Sequence, residues 1–292
     1  MLEHAGVSVR LVRPVIAGLH ACGIDPAPAL LEAGIDPAVL LDADGRVPHH
    51  AALEMWNQAV SLTRDANFGL HAAEGVDVAT LDVQSYAVLS SPTLRDGLQR
   101  ASRLHRLNHE AATVGLFDEQ GGAAWRHELP GGAVLPRHPA EFVLLVTLCV
   151  ARLATGTHLI PAAVRFAHPK PADLGEHKRL FGVTPQFGTG QNAIVFTEDS
   201  LALPCVKADP HLLQVLERHA KDLLERLPKS DTLPAKVQAL LAAELHGGNP
   251  SAEQAASRLG MSVRTLSRRL AEHGTSHQAL LDSLRQELCK NY

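Results

Sequence analysis

Apolar residues recur at helical spacing through most of the first hundred positions. Val9, Val12, Ile16 and Leu19 share one stripe and Leu53, Trp56 and Val60 another, so both stretches predict amphipathic helices. Ser91-Pro92-Thr93-Leu94 opens a further helix, because proline near the first turn gives up only an N–H that a helix leaves unpaired anyway. Leu94, Leu98 and Leu104 form its expected buried stripe. The pattern changes between Thr113 and Leu129, where Val114, Leu116 and Trp125 flank Gly121-Gly122 and predict a β-hairpin turning through a positive φ. Helical spacing returns from Pro139 to about Thr155. Short strands are expected at 163–167 and 193–197 with a helix near 173–181 between them, and a long helix follows at about 210–227.

That order of elements implies an α+β domain. It ends at Pro228-Lys-Ser-Asp-Thr-Leu-Pro234, where two prolines bracket polar residues as a linker does, and the pattern beyond is helical throughout. The expected organisation is a first domain over 1–228, a linker at 229–234 and an all-α domain over 235–292. A chain of 292 residues is long enough for two domains.

Composition narrows the class. Hydrophobic residues make up 46% and charged residues 20%, which is globular composition with ample core material. Net charge is −4, so no chain-wide basic field points to nucleic acid. Its distribution is uneven: 251–292 carries six Lys and Arg against four acids, a net of +2, leaving −6 for the rest. The four cysteines, Cys22, Cys149, Cys205 and Cys289, form no C-x-x-C pair, so neither a disulfide framework nor a zinc site is indicated and a reducing compartment fits. The N-terminus lacks the apolar run of a secretory signal. The most apolar stretch, 142–151, is about half the roughly 20 residues of a membrane span and reads as a buried helix. A soluble, cytoplasmic protein without a membrane partner is expected.

The most informative stretch runs from Ser251 to Gly274. Ser251 and Gln254 have the spacing of a capping box, Ala255, Ala256 and Leu259 are expected to be buried, and the small alanines permit close helix approach. Gly260 supplies a turn, Ser262 caps a second helix over 263–272, and Val263, Leu266 and Leu270 are expected to pack inward. The opposite face carries Arg264, Ser267 and Arg268 at i, i+3 and i+4. Such a face suits the major groove, because arginine donates two parallel hydrogen bonds to guanine and serine can bond either way. Thr265 and Arg269 flank it, better placed for phosphates, which fix register without reading sequence. The bland alternative is an exposed basic helix of no special role, but the coincidence of caps, small residues, central glycine and polar face favours a helix-turn-helix.

The spacing from Ala255-Ala256 through Leu259-Gly260-Met261-Ser262, Arg264-Thr265-Leu266 and Arg268-Arg269-Leu270 to Gly274-Thr275-Ser276 resembles the first helix-turn-helix of AraC-type regulators. Upstream, Pro161 to Pro171, Phe181-Gly182, Asn192 to Phe196, Leu201, Pro204, Asp209 and Ser91-Pro92-Thr93-Leu94 resemble the arabinose-binding-type sensor domain of that family's ornithine-regulator branch. The resemblance implies an α+β sensor domain followed by an all-α helix-turn-helix domain, with effector sensing and dimerisation in the first. It implies a transcription regulator, expected to be an activator, that engages promoter DNA and RNA polymerase as a homodimer. It puts Arg264, Ser267 and Arg268 at base-contacting positions. Family members carry a second helix-turn-helix after a joining helix, which 278–287 resembles, while the chain ends at Tyr292. Weak, salt-sensitive DNA binding is therefore expected, with a truncated sensor or decoy as the alternative reading.

Other chemistry finds little support. His105 and His109 stand at an i, i+4 spacing that can chelate zinc, but further ligands and H-E-x-x-H are lacking, and a surface or core-edge pair is the alternative. No G-x-S-x-G, G-x-x-x-x-G-K or G-x-G-x-x-G motif supports an enzyme, Gly131-Gly132 and Gly247-Gly248 read as loops, and no cofactor is implied. For the effector, Tyr86, His105 and Trp125 are candidate pocket residues and Arg137 or Arg165 candidate carboxylate partners, each with a structural role as the alternative. The resemblance permits an amino-acid-like or fatty-acid-like small molecule.

Overall fold

A computed structural model describes residues 2, 5–76, 82–227, 233, 236–237, 240–241, 251–272 and 275–281. The chain divides into two compact units, Met1–Arg226 and Leu227–Tyr292.

In the first unit, β1 (Gly6–Ser8) pairs antiparallel with β2 (Arg46–Pro48), a ribbon too short to leave a period-2 signal in the sequence. Val7 and Val47 are register partners and both are buried. The Ser8 hydroxyl accepts the Arg10 N–H and caps α1 (Val9–Ala21), whose buried stripe is Val9, Val12, Val15 and Leu19. Ile16, assigned to that stripe from spacing, is half-buried. Then follow α2 (Ala27–Glu32), α3 (His49–Thr63) with Trp56 inside, and α4 (Phe68–Glu74). Next come α5 (Val83–Leu89) and α6 (Leu94–Leu104). Thr93 caps α6 by accepting the Asp96 N–H, and Leu94, Leu98 and Leu104 are buried as the pattern requires.

The expected hairpin is β3 (Thr113–Glu119) and β4 (Gly122–Glu128), closed by Gln120 and Gly121, with Gly121 at φ +83°. They join β5 (Ala163–Phe166), β6 (Gln186–Phe187) and β7 (Asn192–Thr197) in a sheet of order β3-β4-β7-β5-β6, antiparallel except between β5 and β6. The helix expected between the two short strands is α8 (Gly175–Phe181).

The centre of the unit is α7 (Arg137–Thr155), the expected buried helix. By length and composition it could cross a membrane, but 61% of the apolar window is buried inside the fold, and Phe142, Leu144, Leu145, Leu148 and Ala151 lie in one core with Phe166, Phe181 and Phe196. A buried face toward several neighbours explains its high hydropathy without a bilayer. After α9 (Glu198–Ala202), Asp209 accepts the N–H groups of His211 and Leu212 and starts α10 (Pro210–Arg226). Leu213 and Ala220 of α10 pack on Ala87 of α5 and Leu104 of α6.

In the second unit the described residues include α11 (Ala252–Arg258) and α12 (Val263–Glu272). Ala255, Ala256, Leu266 and Leu270 form its core with Val237, Leu241 and Leu281. Of the expected joining helix, 278–281 are helical and 282–287 lie outside the described residues. So do Gly247, Gly248 and all of the 229–234 linker except Leu233.

Candidate functional site

Two places gather chemistry-bearing side chains, one in each unit. In the second unit, Ser251 and Gln254 form the reciprocal capping box that starts α11, each side chain bonded to the other's backbone N–H. Gly260 then takes φ +65°, a left-handed turn that glycine adopts at no steric cost, and the chain re-enters helix after Ser262. The Ser262 hydroxyl accepts the Thr265 N–H at 3.2 Å and shares a 2.9 Å hydrogen bond with the Thr265 hydroxyl. Thr265, assigned to phosphates from the sequence, thus also belongs to the cap.

One face of α12 is anchored by Leu266 and Leu270, both essentially fully buried at i and i+4. Arg264, Ser267, Arg268 and Arg269 are all exposed, and Arg268 comes within 3.8 Å of Glu272. Two inward positions depart from expectation. Val263 is exposed, because it is the first helical residue and lies outside the cluster that covers Leu266 and Leu270, and Leu259 is half-buried.

In the first unit a cavity of about 90 Å³ opens between α7 and the hairpin. Phe142, Val146 and Val150 of α7, with Leu98 of α6 and Val88 of α5, give it apolar walls. The sheet contributes Val114, Trp125 and His127. Trp125 and His127 are two apart on β4 and so share a face, and Val114 is the cross-strand partner of His127. On the other face of the sheet Arg126 and Arg165 both bond Glu119, at 3.1 and 2.8 Å.

His105 closes the cavity from the end of α6, its ring edge-on to that of His127. Gln84 of α5 donates to the Ala101 carbonyl at 2.9 Å and lies 3.5 Å from His105 Nδ1, while its Oε1 accepts from Asn108. An amide nitrogen cannot accept, so this contact fits the tautomer that carries the His105 proton on Nε2. Nε2 of His105 and Nδ1 of His127 are buried and have no hydrogen-bond partner among the described residues.

Beside this pair, His109 Nδ1 accepts the N–H groups of Ala111 and Ala112, so its Nε2 carries the proton and donates to His49 Nδ1 at 2.8 Å. Burial pushes all four rings toward the neutral form, helped by repulsion from neighbouring histidines, His50 in the case of His49: His105 falls well below the usual histidine range, His127 to about 4 and His109 to about 3, with His49 also lowered. His105 and His109 therefore bond different side-chain partners.

Of the residues singled out from sequence, His105 and Trp125 meet in this cavity and Tyr86 does not. Gln84, Ser85 and Val88 of α5 face it, while Tyr86, two residues beyond Gln84, points away and is 36% exposed. Arg137 and Arg165 are engaged elsewhere. Arg137 bonds Glu141 at 2.8 Å and Asn67 at 3.0 Å, and Arg165 bonds Glu119. Gln84, Asn108 and His127 were missed. For His127 a signal existed, since an inward Trp125 implies an inward residue two positions on; for the two amides only the tertiary fold brings them together.

The model of the arabinose-binding domain found at the N-terminus of AraC transcription regulators matches residues 23–205. The chain is 30% identical over 267 residues to the ornithine utilization regulator of Pseudomonas aeruginosa, covering 90% of this chain and 78% of that protein. It is 23% identical to the HTH-type transcriptional regulator VirS of Mycobacterium tuberculosis, over 94% of this chain and 81% of VirS. Its fold is similar to the crystal structure of the transcriptional regulator CdpR from Pseudomonas aeruginosa, with a TM-score of 0.53 at 19% identity, covering 96% of this chain and 84% of that one.

Proposed function

The chain belongs to the AraC-type transcription regulators that carry an N-terminal arabinose-binding domain, and from that premise we propose that it is a ligand-responsive regulator that reads promoter DNA with α12. The observation that carries this reading is the face of α12, where Arg264, Ser267 and Arg268 stand exposed at i, i+3 and i+4 behind a helix held by Leu266 and Leu270. Arginine at two of those positions suits guanine edges in the major groove, with Arg269 and Thr265 toward the phosphates.

Residues 1–228 are the effector-sensing and dimerisation domain in this reading, 229–234 the linker and 235–292 the DNA-binding domain. The effector occupies the cavity lined by His105 and Trp125, and α5 connects it to α10. Gln84, Ser85 and Val88 of α5 face the cavity while Val83 and Ala87 pack against α10, so displacement of α5 by a ligand is felt by the helix at the end of the sensor unit. The protein acts in the cytoplasm as a homodimer in contact with RNA polymerase.

The test is selection of bound sequences from a random duplex pool by the purified protein. A recurrent motif supports the reading, and its loss on changing Arg264 and Arg268 to alanine assigns the reading to α12. Recovery of the same motif from the variant removes α12 as the reader.

A further inference from the structure

The chemistry of the cavity wall narrows the ligand, on the reading that the effector binds there. We propose that the ligand is an uncharged organic molecule with a compact apolar body and one neutral oxygen-bearing head, a hydroxyl, carbonyl or amide, held by His105 and His127.

Among the described residues lining the cavity there is no Asp, Glu, Lys or Arg. A charge taken out of water into such walls meets nothing to compensate it, and burying an unpaired ion is far costlier than burying a neutral polar group. The nearby arginines offer no remedy. Arg46 is bonded to Glu110 at 2.9 Å, and Arg126 and Arg165 share Glu119 on the other face of the sheet. The histidines do not act as cations either, because burial keeps both neutral well below pH 7. An amino acid or a carboxylate anion therefore lacks a counter-charge. A neutral head does not need one.

The polar handles are equally specific. Gln84 donates to the Ala101 carbonyl and accepts from Asn108, and the Thr147 hydroxyl donates to Val143 O at 2.8 Å. The atoms of this wall that are buried without a partner among the described residues are His105 Nε2, the donor in the tautomer that the Gln84 contact fits, and His127 Nδ1, while Ser85 also lines the cavity. Buried polar atoms without partners are rare in folded proteins and call for an explanation. A ligand oxygen that accepts from His105 supplies one. With about 90 Å³ of space, less than the roughly 150 Å³ of an engineered cavity that takes benzene, the body is smaller than a benzene ring, a branched chain of about four carbons.

The experiment uses the whole protein with ¹⁵N-labelled histidine, titrated separately with isobutanol, isobutane, isobutyrate and L-alanine, matched in size, at up to millimolar concentrations. Isobutanol is expected to shift the ring nitrogens of His105 and His127 and to raise Tm, and isobutyrate and L-alanine to leave both unchanged. In a His105→Leu, His127→Leu double variant, affinity for isobutanol should drop about tenfold or more while isobutane still binds, since a hydrogen-bonded head is lost but the apolar walls remain. Shifts caused by isobutyrate or L-alanine, with isobutanol silent, overturn the ligand class and leave the cavity as the effector site. Silence of the ring nitrogens toward all four probes overturns the cavity as the effector site and the class with it. Isobutanol bound equally well by the double variant overturns the histidine anchor. The wild-type titration stands whether or not the variant folds.

Discussion

The rings of His105 and His127 meet edge to face, with centroids 5.5 Å apart and planes at 90°. One ring comes from the end of a helix and the other from a strand, and the contact is made between two neutral imidazoles. With His49 and His109, whose ring centroids are 4.9 Å apart, they put four uncharged histidines in one neighbourhood of the sensor unit.

This arrangement makes stability depend on pH. Each of these rings binds a proton less readily in the folded chain than in the unfolded one, whose histidines titrate near 6.5, so acid favours unfolding. Stability from this source is complete above about pH 7 and declines as pH falls through 6.5 toward the folded values of about 4 for His127 and about 3 for His109. His71 opposes the trend. Its own desolvation is outweighed by Asp65 and Glu176, its pKa is raised, and its contribution fades as pH rises, but it is exposed and screened. Calorimetry should find Tm lower by about 5 °C or more near pH 5 than near pH 7.5. A flat profile over that range would contradict the neutral cluster.

Arg264 and Arg268 should act differently from Arg269 on DNA. Removing either of the first two is expected to relax base preference, with a cost of about 1–3 kcal/mol on the preferred site. Arg269→Ala should weaken binding to all sequences alike and lower the slope of log affinity against log salt by about 1. Salt titrations on preferred and scrambled duplexes separate the two behaviours. Equal slopes and equal losses for all three variants would place the three arginines in one role.

Glu141 is completely buried, and its Oε1 takes hydrogen bonds from Arg137 at 2.8 Å and His177 at 2.7 Å. Burial raises the pKa of this carboxyl, but these two partners outweigh it and hold the group below the usual range. Arg137→Ala takes away the charge that compensates a buried carboxylate and should cost about 3 kcal/mol, the low end for breaking a buried pair because His177 still bonds it. Urea unfolding of the whole chain reads this as a lower midpoint. Stability within about 0.5 kcal/mol of the parent, the range of ordinary surface substitutions, would mean that the pair is dispensable.

Gly260 stands in open space, with nothing within 4 Å of where a Cβ would be, yet at φ +65°. Gly260→Ala therefore tests conformation without a clash. It should destabilise the second unit by about 1 kcal/mol, the usual cost of forcing a β-carbon into the left-handed region. Hydrogen exchange in α11 and α12 should quicken while α7 is unaffected. Unchanged exchange in α11 and α12 would show that the turn tolerates a side chain.

Much of the secondary structure was written locally. Ser251 and Gln254, Gly260 and the Leu266–Leu270 repeat specify a cap, a turn and a buried stripe within one short stretch, and each appears where spacing puts it. The hairpin, which turns at Gln120-Gly121, one residue before the expected Gly121-Gly122, and the Leu94, Leu98, Leu104 stripe follow for the same reason. Ile16 inside α1 and Leu259 are half-buried, and the clearest failure sits at an element end. Val263 fits the apolar period, but whether an end residue is covered depends on what lies beyond it.

Periodicity and caps thus determined helix, strand and turn, and put the α12 arginines on one face, because those signals act between residues a few positions apart. Only the tertiary structure decided that Gln84, His105, Asn108 and His127 share one wall, that Tyr86 stands outside it and that Arg137 and Arg165 are already occupied. Pockets and ion pairs are made by side chains distant in sequence, and which of them meet is set by how whole elements pack.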